Sequence, residues 1–214
     1  MTKQLRVAVP AHLFDLAPAS GHGKVWSRVL HELGQVVEIV PLPVRRAWRR
    51  RLRADVVLCS GHDDFPRTEA PVVAQVHEAG WHQPELRAVL DPAFLAHIAA
   101  RTERAVRAAA GVIVPSEQAR ADLLRAYRID AQRVRAVPHG VDPGFTPAAP
   151  GGRAMVARAL GGGERPYILY AASLHPRKNL TALREAMALL VAAGRPHALA
   201  VAGGPAPDRA DSSQ

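Results

Sequence analysis

The stretch GVIVPSEQARADL, residues 111–123, decides the fold. Val112–Pro115 is a continuous apolar run rather than an alternating one, as a strand buried on both faces requires. Pro115–Ser116–Glu117 breaks the run, and Glu117–Tyr127 continues with amphipathic helical spacing. A strand passing through a short turn into a helix is half of a βαβ unit. Outward from here the same alternation repeats. Strands are expected at Leu5–Pro10, Val36–Val40, Val56–Ser60, Val72–His77 and Val134–Pro138. Helices are expected at Lys24–Leu33, Val44–Leu52 and Pro92–Ala109. The reading is α/β: a Rossmann-like, doubly wound parallel sheet with helices on both faces.

Gly140–Pro150 interrupts the alternation with prolines and glycines and reads as an interdomain linker. Beyond it the pattern restarts with a helix at Ala154–Leu160, a strand at Tyr167–Ala171, a helix at Asn179–Ala193 and a strand at Ala198–Ala202. In that last helix Leu180, Leu183, Met187, Leu190 and Val191 share one face, and Asn179 is placed as the N-cap. The division expected is residues 1–145 as a complete Rossmann-like domain and 146–214 as part of a second one. The tail from Pro205 to Gln214 is polar and expected to be disordered. There is no internal repeat at a solenoid period.

Of the 214 residues 48% are hydrophobic and only 5% aromatic, so Ala, Val and Leu supply a small-aliphatic core suited to layered α/β folds. A single cysteine, Cys59, excludes a disulfide framework and points to a reducing compartment. With no leader-like N-terminus and no apolar run of about twenty residues, a cytoplasmic chain is expected. The formal net charge of +9 fits nucleic acid, an anionic membrane surface or a phosphorylated ligand. It fits equally an arginine-rich composition set by genomic base bias. No nucleic-acid motif accompanies it, so a nucleic-acid partner is not expected.

Ligands of open α/β sheets bind outside the carboxyl ends of the strands. Chemically capable residues collect at those ends: Ser20–Lys24, including Gly21, His22 and Gly23; Gly61–Asp64, including His62; His77–Glu78; Ser116; and His139–Asp142. In the second unit the corresponding turn is Ser173–Asn179, with Arg177 and Lys178. This is the layout expected of a cleft between two domains.

Each of these has a plain reading beside the functional one. Glycines 21 and 23 let a backbone approach a phosphate at a helix start, or simply make a tight strand–helix turn. They do not complete a G-x-G-x-x-G fingerprint. Arg177 and Lys178 precede a helix start, where the macrodipole disfavours cations, unless a diphosphate sits there; the alternative is two solvated surface cations. His77 ends a buried-looking strand and is either a site residue or a histidine hydrogen-bonded in its loop. The spacings of His62, His82, Asp63 and Asp64 match no recognised metal site, and no metal is expected. Arg45, Arg46, Arg49, Arg50, Arg51 and Arg53 surround a stripe of Val44, Trp48 and Leu52. That segment reads as a helix on an anionic membrane surface, or as one packed on the sheet with its arginines in water.

Three segments together carry a resemblance. Gly111–Leu123 resembles the segment closing the N-terminal domain of family 4 glycosyltransferases. Val134–Asp142 is similar to that family's strand and "NGVD" turn, with His139 in place of asparagine. Tyr167–Leu180 resembles the strand opening the donor domain and its "PRKN" loop, here Pro176–Asn179. The resemblance covers nearly the whole chain except the tail and implies the two-Rossmann (GT-B) fold.

It also implies transfer of a sugar, with retention of configuration, from a nucleotide-diphosphate sugar co-substrate to a sugar or lipid-linked acceptor, as a hexosyltransferase without cofactor or metal. By similarity His77 lies near the reacting sugar, and Lys178, helped by Arg177, neutralises the departing diphosphate. Gly21, Gly23 and Ser173 would bind the donor phosphates with Lys178. His22, His62, Ser116 and His139 are acceptor-side candidates. Two departures stand out. Ala171–Ala172–Ser173 replaces a usual glycine. The family's two glutamates, seven residues apart, would fall beyond position 200, so a chain ending at Gln214 is expected to be truncated and impaired in transfer. The alternative is a non-catalytic relative that binds acceptor or docks on a membrane through Arg45–Arg53.

Overall fold

The structure, a computed structural model, describes residues 4–16, 20–43, 53–66, 68–146, 151–159, 161 and 165–204. It divides into two compact units, Met1–Gly140 and Val141–Gln214. The basic segment 44–52 and the tail from residue 205 lie outside the described residues.

The first unit is a six-stranded parallel sheet. Its strands are β1 (Arg6–Pro10), β2 (Glu38–Leu42), β3 (Val56–Ser60), β4 (Val72–Gln75), β5 (Gly111–Val114) and β6 (Val134–Ala136), in the order β2-β1-β3-β4-β5-β6. Its helices are α1 (Gly21–Gly34), α2 (Pro84–Val89), α3 (Pro92–Ala108) and α4 (Glu117–Tyr127). Alternate residues of β1 feed opposite faces. Ala8 joins a core with Val57, Cys59, Ala74, Val106 and Leu123, while Val7 and Val9 join Leu13 and Trp26 on the other side. Both faces are therefore covered, as continuous apolar strands require. Leu123 of α4 is fully buried, and such a side chain stabilises by about 1.5–3 kcal/mol.

Local chemistry sets the ends of the elements. Ser20, Asp91 and Ser116 each accept the backbone N–H three residues on, capping α1, α3 and α4. The Arg133 guanidinium donates to the carbonyls of Val106, Arg107 and Ala109, satisfying the C-terminal end of α3. Several expected boundaries move, β6 ending at Ala136 among them. β2 runs two residues later than expected and includes Pro41, tolerated because β2 is an edge strand and needs no second ladder donor. β4 stops at Gln75, so His77 stands just past the strand rather than at its end. α1 begins at Gly21 instead of Lys24, because the Ser20 cap nucleates the helix three residues earlier.

The second unit pairs β7 (Tyr167–Ala171) with β8 (Ala198–Ala202) in parallel, joined by α6 (Leu180–Ala192) and preceded by α5 (Gly152–Ala159). Asn179 adopts φ +50° and caps α6 through Oδ1, which accepts from Ala182 N at 3.3 Å. Asparagine tolerates that left-handed geometry better than most residues. Leu180, Leu183, Met187 and Leu190 are half-buried on one face, but Val191 is 62% exposed. Val191 therefore departs from the expected stripe. On β7 the side chains of Ile168 and Tyr170 are half-buried whereas Tyr167, Leu169 and Ala171 are exposed. Among the described residues one face of this small sheet is uncovered, unlike the sheet of the first unit.

Candidate functional site

The order of the first sheet reverses between β1 and β3: the chain leaves β1 toward β2 on one side and continues from β3 on the other. Crevices form at such switch points, outside the carboxyl ends of the strands. Here His12 follows β1 in a single 3-10 turn, His22 lies in the first turn of α1, and His62 follows β3. His77 follows β4 and His139 follows β6. The fold thus gathers five histidines, scattered over the first unit, onto one rim.

His77 is the centre of the group. Its ring lies 5.2 Å from that of His22, 5.5 Å from His139 and 6.4 Å from His62, centroid to centroid. His62 also meets the edge of Trp81 at 5.3 Å. Behind the histidines the Trp81 indole N–H donates to the Tyr127 hydroxyl at 3.2 Å, a buried polar link between the segment after β4 and α4. His12 Nε2 donates to Asp63 Oδ2 at 2.8 Å across the switch point itself.

Burial keeps His22, His62 and His77 uncharged. Burial pushes His62 down to about 4, helped by the neighbouring His22 and opposed by Asp63. Burial also takes His77 to about 4, with His22, His62 and His139 adding repulsion. His22 is lowered by burial as well, with Asp63 opposing and His12 adding to the shift. Asp63 loses solvation, which would raise it. The hydrogen bond from His12 and the nearby histidines outweigh that and hold its carboxyl below the usual range. At neutral pH His22, His62 and His77 are therefore neutral imidazoles beside the Asp63 carboxylate. Neutral imidazoles donate and accept hydrogen bonds without attracting or repelling an uncharged polyol. Among the described residues no group of three or more His, Cys, Asp or Glu is placed to hold a metal ion.

The remaining candidates fall as follows. Gly21 and Gly23 occupy the first turn of α1, where N–H groups lack helical partners, and the Ser20 hydroxyl takes the N–H of Gly23 at 2.9 Å. Around Gly21 there is open space where a Cβ would project. Ser116 is exposed and its oxygen caps α4, accepting from Ala119 N at 3.1 Å. In the second unit Arg177 and Lys178 lie in a 3-10 turn directly before α6, both exposed. That turn is held by His175, whose Nδ1 accepts from the Arg177 backbone N–H at 3.1 Å. The Ser173 carbonyl accepts from the Tyr170 hydroxyl at 3.1 Å. Where Ala171–Ala172–Ser173 stands in place of a glycine, it packs against Gly203, just after β8. A Cβ on Gly203, at φ +155°, would collide with the Ala172 carbonyl.

Sequence reasoning missed His12, Thr102 and the Trp81–Tyr127 link. His12 was within reach of the strand-end rule that found the others. Thr102 carried a weaker signal, a polar residue on the apolar row of α3 formed by Leu95, Ile98, Ala105 and Val106. Trp81 and Tyr127 are 46 residues apart and gave none.

No curated protein sequence matches the chain. Two solved structures of Anabaena Alr3699/HepE are similar in fold, one in complex with UDP and one with UDP-glucose. Both have a TM-score of 0.50 over 95% of this chain and 70% of theirs, at 11% and 12% identity. The sequence profile of Glycosyltransferase Family 4 matches residues 7–145, from β1 through the turn after β6. That match covers well over half of the chain and spans every strand bearing the histidine rim, so the chain belongs to glycosyltransferase family 4.

Proposed function

We propose that this protein transfers a hexose from a nucleotide-diphosphate sugar to a sugar or lipid-linked acceptor, with retention of configuration and without a metal or cofactor. The observation that carries the reading is the group of neutral imidazoles, His22, His62 and His77, gathered at the carboxyl edge of a family 4 sheet. Such a group suits hydroxyl-rich ligands. The bond from the anomeric carbon to the diphosphate oxygen breaks with its electron pair going to the diphosphate. The acceptor hydroxyl oxygen bonds to that carbon on the same face, and its proton passes to the departing diphosphate. Lys178 and Arg177 stabilise the charge that develops on the leaving group, an electrostatic contribution to catalysis. Gly21, Gly23 and Ser173 contact donor phosphates, His77 the reacting sugar, and His22, His62, Ser116 and His139 the acceptor.

HepE binds UDP and UDP-glucose, which makes a uridine nucleotide the first donor to try. Calorimetric titration with UDP, GDP and ADP tests the reading. Saturable binding of one of them supports it, whereas binding of none, alongside binding of a sugar acceptor, would favour a non-catalytic module.

A further inference from the structure

Thr102, on the inner row of α3, is fully buried, and its hydroxyl donates to the Ile98 carbonyl one turn back at 2.9 Å. The same oxygen lies 3.1 Å from His62 Nδ1. A threonine hydroxyl has one proton, and here the Ile98 carbonyl takes it. The contact with His62 must then run the other way: His62 Nδ1–H donates and Thr102 accepts. A neutral imidazole carries one N–H, so His62 Nε2 is left with a lone pair and no proton. That nitrogen is buried and has no hydrogen-bond partner. A buried acceptor without a partner is destabilising, and a ligand donor would remove that cost. The ring is held from its other side by the edge of Trp81 and faces the His77 group.

We propose that Thr102 is a positioning residue that locks His62 in its Nδ1–H tautomer, so that Nε2 reads a hydroxyl hydrogen of the sugar ligand and turns away anions. The ligand class follows from the lone pair. An unprotonated imidazole nitrogen accepts from O–H or N–H but repels the oxygens of a phosphate or carboxylate. This places a neutral hydroxyl at His62, within the first unit, and leaves the diphosphate to other residues. The ligand part rests on the reading under Proposed function; the tautomer part does not.

Nitrogen-15 NMR of the histidine rings tests it at pH 7. In the wild type the His62 signal is expected to show a protonated Nδ1 and a bare Nε2. Glucose should shift Nε2, and inorganic phosphate at the same concentration should not. Thr102→Ser keeps the acceptor and should keep the tautomer. Thr102→Val keeps the shape, removes the acceptor, and should mix the tautomers and weaken the glucose response roughly tenfold. A wild-type ring protonated at Nε2 overturns the inference whether or not the variants fold. So does a Nε2 signal that responds to phosphate, or to neither probe. Nucleotide titration reports separately, so loss of the tautomer lock and loss of the proposed transfer activity are distinguishable.

Discussion

His12 Nε2 and Asp63 Oδ2 lie 2.8 Å apart, joining the turn after β1 to the turn after β3 where the strand order reverses. The two residues are 51 positions apart in sequence, and only the parallel pairing of β1 with β3 brings them together. The carboxylate also opposes the depression of His22 and His62.

Replacing Asp63 by Asn should therefore lower the titration of both His22 and His62 further. The pair is partly solvated, so the loss of stability should be only about 1 kcal/mol or less. Histidine NMR titrations together with urea denaturation check both parts. An unmoved His22 would contradict the assigned electrostatics.

Stability should fall as the solution is acidified from about pH 6.5 to about pH 4. His62 and His77 titrate near 4 in the folded chain but near 6.5 when unfolded. Across that window the unfolded chain binds protons that the folded chain refuses, so their contribution is full above about 6.5 and is lost toward 4. Asp63, also depressed, adds a loss of the same sign only at lower pH. Urea midpoints at successive pH values should give a slope approaching about two protons, and His62→Gln should remove about one of them.

Two glycines of the first unit should respond oppositely to alanine. At Gly61 an added Cβ would sit 2.5 Å from Val76 Cγ2 and 3.3 Å from the Gln75 carbonyl. Gly61→Ala should cost about 1–3 kcal/mol. Gly21 has open space and a helical position, so Gly21→Ala should leave stability unchanged or slightly raised. A drop in nucleotide affinity in that variant, without a drop in melting temperature, would mark Gly21 as a phosphate contact.

Trp81→Phe removes the indole donor to the Tyr127 hydroxyl inside the first unit. Burial already raises the Tyr127 phenol, with the hydrogen bond from Trp81 opposing it. Loss of the donor should destabilise by about 1–2 kcal/mol and raise the phenol further. Denaturation and ultraviolet titration of tyrosine measure the two effects.

Much of the fold can be read from hydrophobic period alone. β3, α4, β7 and β8 begin and end where their apolar runs do, because their flanking turn residues and caps are local. α2 escapes such reading: six residues starting at Pro84 bury nothing fully and show no stripe. The end of β2 escapes because Pro41 argues against continuing the strand until its edge position is known. In the site, strand-end placement singles out His22, His62, His77 and His139. Their mutual distances, and the partnership of His12 with Asp63 and of His62 with Thr102, depend on which strands lie side by side. That order is a long-range property with no signature in a local window.

Lys178 offers the most direct test of sugar-nucleotide chemistry in this chain. It lies exposed in the 3-10 turn before α6, so Lys178→Ala should leave the melting temperature unchanged. Calorimetry with UDP should show affinity falling roughly tenfold to hundredfold in the variant, the value of one charge-assisted phosphate contact. Equal UDP affinity in wild type and variant would contradict a diphosphate site at this turn.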